Sequence, residues 1–541
     1  MKSNKTKLLL VFLVSILIVS GCQNSSQYSN NPSSKKVIRL CESWDFESGF
    51  HSVFAPNISG NFGLYRFLPN FYEALVKYEN GVIVPSLAEK WLISEDGKSY
   101  TFTLKKDVKF SDGSDLTSAA VKKSVENVPK LLGRYNGSYG LTSTLLSDIE
   151  TPDDYTVIIN LKSPYYGALH DFATLNTFGI MSLAAYNEDG SLNDNTKQAT
   201  YGTGPYMYQG EKANLTYTFV RNPYYSGEKP EVDKFIVKVI ENNDAKLLAL
   251  KNNEIDIIVG STNISYDSFK SLKNSEQIKG EVAERSNVTR LLGINAAKDA
   301  FNDKNVRIAI AHALDKKSIC NNMFYNIESV ANTVLSQHLP YCNVDLEPYE
   351  FNIEKAKEIL NNNGWILNSS GVREKESQTL EGDLLYFGGI ADLDSLAIKI
   401  ATDLAQIGIK ITAKRMEGHS HYSAIANGEY DLALQETYGL PYDPYLFMSI
   451  LGSQPIRDNF MAQGLAGVKE ANKLIADLNC MIEDNNIQEQ FNIILNELHN
   501  TASLLPITNK KELVLFSTAK IANYEFYNLP MSIDVASIKL K

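Results

Sequence analysis

Short strand-like runs alternate with amphipathic helix-like runs along nearly the whole chain, and this alternation limits the fold more than any other feature. Thr101–Leu104, Tyr155–Ile159, Phe235–Ile240, Ile255–Val259 and Ile409–Ala413 read as strands. Asp303–Leu314, Ile353–Asn362, Leu393–Ile407 and Gln488–Leu498 read as helices. In the second of these, Ile353, Ala356, Ile359 and Leu360 recur at helical spacing, and Asn363-Gly364 supplies the stop. The pattern predicts mixed α/β lobes, with no repeat at a period of roughly 20–50 residues. At 541 residues the chain is too long for one ordinary domain; about two to four units are expected. A formal charge of −11 speaks against a nucleic-acid partner, because neutralising phosphates needs a basic surface.

The N-terminus sets the compartment. Lys2, Lys5 and Lys7 precede an apolar run at residues 8–19. That run is too short to span a bilayer, which takes about 20 residues, and it suits a signal-peptide core. Val19-Ser20-Gly21-Cys22 resembles the lipobox of bacterial lipoproteins. The resemblance implies that residues 1–21 are a lipoprotein signal peptide cleaved before Cys22, whose sulfur then carries a diacylglyceryl group. The alternative is a plain secretory signal or an uncleaved anchor helix. Residues 22–36 are polar and read as a flexible tether. Cleavage would remove three lysines and no acid, leaving a charge of −14. The protein is therefore expected outside the cytoplasm, lipid-anchored to the outer face of the cell membrane (in the periplasm if the host has two membranes). A disulfide is permitted there. Cys320 and Cys342 are the nearest pair in sequence; the other reading leaves Cys41, Cys320, Cys342 and Cys480 all as buried small hydrophobes.

Enzyme signatures are missing. There is no Gly-x-Ser-x-Gly, no Gly-rich phosphate loop, no His-Glu-x-x-His and no Cys-x-x-Cys. Paired acids such as Asp153-Asp154 lie in turn sequences, so the chain does not read as an enzyme.

From Ser86 to Val125 the chain shows a Glu95-Asp96-Gly97 turn, an alternating strand, a second strand-like piece at Val108 and Phe110, a Ser111-Asp112-Gly113 turn, and a helix capped near Asp115 or Thr117. This resembles the family 5 extracellular solute-binding proteins, the peptide- and nickel-binding components of ABC importers. Further pieces follow in the family's order: Tyr72–Val76, Gly202–Tyr206, Arg221–Tyr225, Leu292–Asn295, Val306-Arg307 and Ala313–Lys316, and Gly364-Trp365. The resemblance implies an α/β two-lobed periplasmic-binding-protein clamshell of type II with an additional third domain. Residues 37–80, 203–290 and 512–541 would form lobe I, residues 81–202 the additional domain, and residues 291–511 lobe II. It also implies a monomer that serves a permease and an ATPase and closes about a small solute.

Within the family, similarity falls toward the nickel-binding branch, notably at Gly227–Pro230 and Gly439–Pro444. That branch holds Ni²⁺ through a small chelator, between aromatic walls. The resemblance places Tyr65, Tyr139, Tyr438 and Tyr442 at aromatic or apolar ligand-binding positions. Asn176 stands where an Arg is expected, and Ile456 where a single His ligand is expected. Arg66 and Arg134 are the candidate replacements for the missing charge. His419 and His421 are the one close His pair; on a strand both would point the same way and could ligate a metal. The alternatives are an oligopeptide or dipeptide ligand, with Glu436 as a possible amine anchor, and a sensory solute-binding lipoprotein without transport.

Overall fold

The computed structural model describes residues 36–53, 61–79, 81–137, 139–286, 288–390, 392–437, 444–452, 464–481 and 483–541. The expected signal peptide, Cys22 and nearly all of the expected tether lie outside the described residues, as do Tyr438, Tyr442 and Ile456.

Strands distant in sequence build each sheet. One four-stranded sheet runs in the order Val37–Glu42, Lys234–Val239, Thr216–Arg221 and Tyr206–Ala213. Its first pair is parallel and the others antiparallel. Aromatic residues fill the space against it, with Phe219 and Phe235 stacked at 4.7 Å and Phe46, Phe50, Phe67 and Phe71 around them. A three-stranded sheet pairs Leu513–Ser517 between Ile257–Val259 and Ile278–Val282.

A six-stranded mixed sheet has Val288–Ile294 near its centre, antiparallel to both Leu504–Lys510 and Leu432–Glu436. Every residue of Val288–Ile294 is buried, as expected of a strand covered on both faces. Helices Lys304–Ala313, Ile353–Asn362 and Leu393–Ala405 pack Val306, Leu360, Leu396 and Ile400 into the same core as Leu292 and Leu384. Two of these helices begin at side-chain caps, Asp303 accepting from the Asn305 N–H and Asn352 from the Lys355 N–H.

An antiparallel sheet of Ala88–Ile93, Ser99–Leu104, Thr156–Leu161 and Leu146–Asp153 stands apart in sequence. Helix Ser118–Glu126, capped by Thr117, packs Val121 and Val125 into the core shared with Phe102 and Ile159. The chain passes between the three- and six-stranded sheets at two places, Val282 to Val288 and Lys510 to Leu513. Ser286 ties these passages together by donating its hydroxyl to the Lys510 carbonyl at 2.7 Å. No helix among the described residues is long and apolar enough to cross a membrane.

Some expectations shift. Val108 and Phe110 form no strand: the Phe110 N–H reaches back to Ser114 and the Leu116 N–H to Val108, closing a tight turn with a single ladder contact at Lys109 and Asp115. The strand expected from Ile255 starts at Ile257, and the Asp256 carboxylate just before it is held by Arg39 and Lys520. Cys41, Cys320, Cys342 and Cys480 form no disulfide; Cys480 is exposed and the other three are buried, and burial pushes Cys41 and Cys320 up to about 12. Cys320 and Cys342 therefore act as buried apolar residues and not as a bridge.

Candidate functional site

Three of the signature pieces meet at one cavity of about 240 Å³. Glu73, Ala74 and Val76 come from the Tyr72–Val76 piece, Pro205 from Gly202–Tyr206, and Tyr225 from Arg221–Tyr225. The pieces are bonded to one another. The Gly204 N–H donates to the Phe71 carbonyl at 3.0 Å, and Asn222 Nδ2 donates to the Gly204 carbonyl at 2.9 Å. A Cβ at Gly202 would lie 2.0 Å from the Phe71 carbonyl oxygen, and one at Gly204 would lie 2.5 Å from the Phe71 carbonyl carbon. Only glycine allows this approach.

Helix Asn61–Phe67 brings Tyr65 to the cavity, residues Ala173–Asn176 form another side, and the segment Tyr527–Ala536 contributes a further side. A water's share of liquid volume is about 30 Å³, so the space corresponds to about eight waters, the scale of a small molecule. Five of the lining residues are tyrosines: Tyr65, Tyr72, Tyr78, Tyr225 and Tyr527. They supply flat apolar walls with polar edges.

The polar equipment is sparse. Asn176 is 2% exposed, and neither its amide nitrogen nor its amide oxygen has a hydrogen-bond partner among the described residues. A buried amide in this condition costs about 1–3 kcal/mol, which a ligand's donor and acceptor can offset. Burial raises the Glu73 carboxyl above its ordinary range, with the Thr203 hydroxyl and the more distant Lys105 and Lys77 only partly opposing it. Burial likewise pushes Asp534 up to about 6, against backbone N–H donors at Ala536 and Ser537. Lys77 is the one basic residue of the described lining; its side chain is half exposed and paired to Glu79 at 3.3 Å.

A raised carboxyl pKa means that the folded state disfavours the charge. Stability should therefore rise as pH falls from about 6 toward the unfolded value of about 3.9. Asp534→Asn is expected to stabilise the protein at pH 7.5 by about 1–2 kcal/mol, with the gain fading near pH 4. Denaturant midpoints at the two pH values measure this; a loss of stability at pH 7.5 would contradict it.

The profile of the family described as bacterial extracellular solute-binding proteins, family 5 (middle region), matches residues 82–458. The chain belongs to this family. It is 31% identical over 471 residues to the nickel-binding periplasmic protein of Escherichia coli (strain K12), covering 86% of this chain and 89% of that one. It is 27% identical over 440 residues to the oligopeptide-binding protein AppA of Bacillus subtilis (strain 168), covering 77% of each. The crystal structure of NikA from Brucella suis in complex with Fe(III)-EDTA aligns with a TM-score of 0.83 at 29% identity, over 93% of this chain and 100% of that one. The architecture is the two-lobed solute-binding clamshell expected from the sequence.

In this solute-binding protein the expected site residues separate. Tyr65 and Asn176 come together at the cavity. Arg66 does not join them. Its side chain is 4% exposed and binds Glu42 at 2.9 Å, the Val259 carbonyl at 2.7 Å and the Met531 carbonyl at 3.1 Å. It thus clasps two sheets and the C-terminal segment, with all three of its nitrogens donating to that task. Tyr139 is buried in the core around Phe102 and is not part of the cavity lining. The side chains of Arg134 and His419 lie outside the described residues.

The His pair is also corrected. His419 and His421 fall on the helix Gly418–Ala426 and not on a strand. Two positions along a helix are about 200° apart around its axis, so the shared direction that a strand would give the two positions does not hold. His421 is 2% exposed, sits edge-on to Phe387 at 5.5 Å, and burial lowers it to about 4, so it is a neutral core residue. Glu73, Tyr225, Tyr527 and Asp534 are the cavity residues that sequence reasoning missed. Glu73 and Tyr225 stood inside signature pieces without being marked as site residues, whereas Tyr527 and Asp534 carry no local signal.

Proposed function

We propose that the protein is the substrate-binding component of an ABC importer and that its cargo is nickel held in a small chelate. The supporting observation is a small, tyrosine-walled cavity with an unsatisfied Asn176 amide, placed on the fold of a nickel-binding relative. In this reading Tyr65 and Asn176 contact the chelate, and Tyr438 and Tyr442 are further ligand-binding residues carried over from the family resemblance. Residues 37–80, 203–290 and 512–541 act as lobe I, residues 81–202 as the additional domain and residues 291–511 as lobe II, closing about the ligand. A permease and an ATPase receive the cargo, and a lipid on Cys22 holds the body at the membrane.

The peptide alternative needs a carboxylate for the amine terminus, and Glu436 was the nearest candidate. Its side chain is already engaged by Arg290 at 2.6 Å and by Lys510 at 2.8 Å. Burial works against its charge, yet Lys510 and Arg290 together hold the carboxyl below its ordinary range. Freeing it for a peptide amine would leave the buried Lys510 without its carboxylate and Arg290 with Glu328 alone.

Native mass spectrometry of the protein purified from nickel-supplemented cells tests the proposal. The expected result is an added mass of nickel plus an organic chelator; recovery of peptides without metal counts against it. Tyr442→Ala is expected to weaken the true ligand by about 1–3 kcal/mol; an unchanged affinity removes Tyr442 from the site. Cys22→Ser is expected to release the protein from the membrane fraction, and retention would mean that an uncleaved N-terminus is the anchor.

A further inference from the structure

The described cavity wall offers acceptors and flat rings but very little positive charge. Glu73 and Asp534 supply two carboxyl groups, and Asn176 supplies one neutral amide with no hydrogen-bond partner among the described residues. No Arg or His belongs to the described lining, and Lys77 is half exposed and paired to Glu79. Both carboxyls titrate high because burial outweighs the groups that oppose it, so this wall already resists negative charge. A free carboxylate of a ligand placed here would meet two acids and no guanidinium. An amine or imidazole N–H would meet ready acceptors, and tyrosine faces favour a cation or a flat ring.

Resting on the metal-chelate reading above, we propose that this wall selects by charge: Glu73, Asp534 and Asn176 admit a neutral or cationic nickel chelate that presents N–H donors, and reject a polycarboxylate chelate. Asn176 is the specificity-determining position. Its amide oxygen accepts from the chelator and its amide nitrogen, which is uncharged, donates to an acceptor, so it reads polarity without demanding an anion. Asp534 and Glu73 supply the charge preference.

Calorimetric titration with nickel–histamine, nickel–histidine, nickel–citrate and nickel–EDTA tests this at pH 7.5. Nickel–histamine, which is cationic and lacks a carboxylate, is expected to bind at least 100-fold more tightly than nickel–EDTA. Asn176→Arg is expected to narrow or reverse that ratio by at least 10-fold. Asn176→Asp, which keeps the size of the side chain, is expected to widen it. Asp534→Asn is expected to weaken nickel–histamine about 10-fold and to tighten nickel–EDTA, opposite shifts that a merely structural role would not produce. Tightest binding of nickel–EDTA or nickel–citrate by the unaltered protein overturns the inference and leaves the nickel-chelate reading standing. An unchanged ratio in both Asn176 variants also overturns it. Binding of dipeptides with no response to any nickel complex removes the metal-chelate reading and the inference together.

Discussion

Arg290→Ala is expected to lower stability by about 3–5 kcal/mol, seen as a fall in both the thermal and the urea midpoint. Arg290 sits on the central strand of the six-stranded sheet with its side chain 2% exposed. Its guanidinium binds Glu328 at 2.9 Å and Glu436 at 2.6 Å, and Lys510 shares Glu436 from the neighbouring strand. Glu328 is itself 1% exposed and also accepts from the Tyr266 and Thr508 hydroxyls. Removing the arginine leaves a buried carboxylate whose remaining partners are neutral hydroxyls, and that residual charge accounts for most of the cost.

The network also stands at the passage between sheets. Arg290 follows the first crossing and Lys510 precedes the second, so the same substitution should loosen the pivot of the clamshell. Arg290→Lys keeps the charge but not the forked geometry and should fall between the two. A loss below about 1 kcal/mol for Arg290→Ala would show that the network contributes little.

The second large effect is expected at Arg66. Arg66→Ala strands Glu42, whose side chain is fully buried, and removes two hydrogen bonds to the carbonyls of Val259 and Met531. A loss of about 3–5 kcal/mol is expected. The paired change Arg66→Met with Glu42→Leu should recover most of it, because neither charge is then left unpaired. If Arg66 were instead a ligand arginine, the single variant would keep its stability and lose affinity. Urea unfolding run beside ligand titration distinguishes the two outcomes.

Legibility followed the range of the interactions involved. Helix Ile353–Asn362 was readable to the residue, because its apolar period and its Asn363-Gly364 stop are local, whereas the cap of Ser118–Glu126 was narrowed to Asp115 or Thr117 and is Thr117. The interleaving of the sheets was not readable from pattern, since Val37–Glu42 finds its parallel partner in Lys234–Val239, about two hundred residues away. Only the ordered signature pieces pointed to it. Arg66 looked like a site residue because it adjoins Tyr65, yet neighbours on a helix point in different directions, and Arg66 turns into a clasp. His419 and His421 looked like a metal pair only on the assumption of a strand. Asp534 was invisible because nothing in its neighbourhood reports that burial raises its carboxyl.

The central claim is that the cargo is a small nickel chelate. Calorimetry with Ni²⁺ alone, nickel–histidine and a mixed pool of short peptides tests it most directly. The account predicts saturable one-to-one binding of the nickel–histidine complex, with quenching of tyrosine or tryptophan fluorescence as the lobes close, and no comparable binding of the bare ion. Saturable binding of peptides with no response to nickel in any form would contradict it.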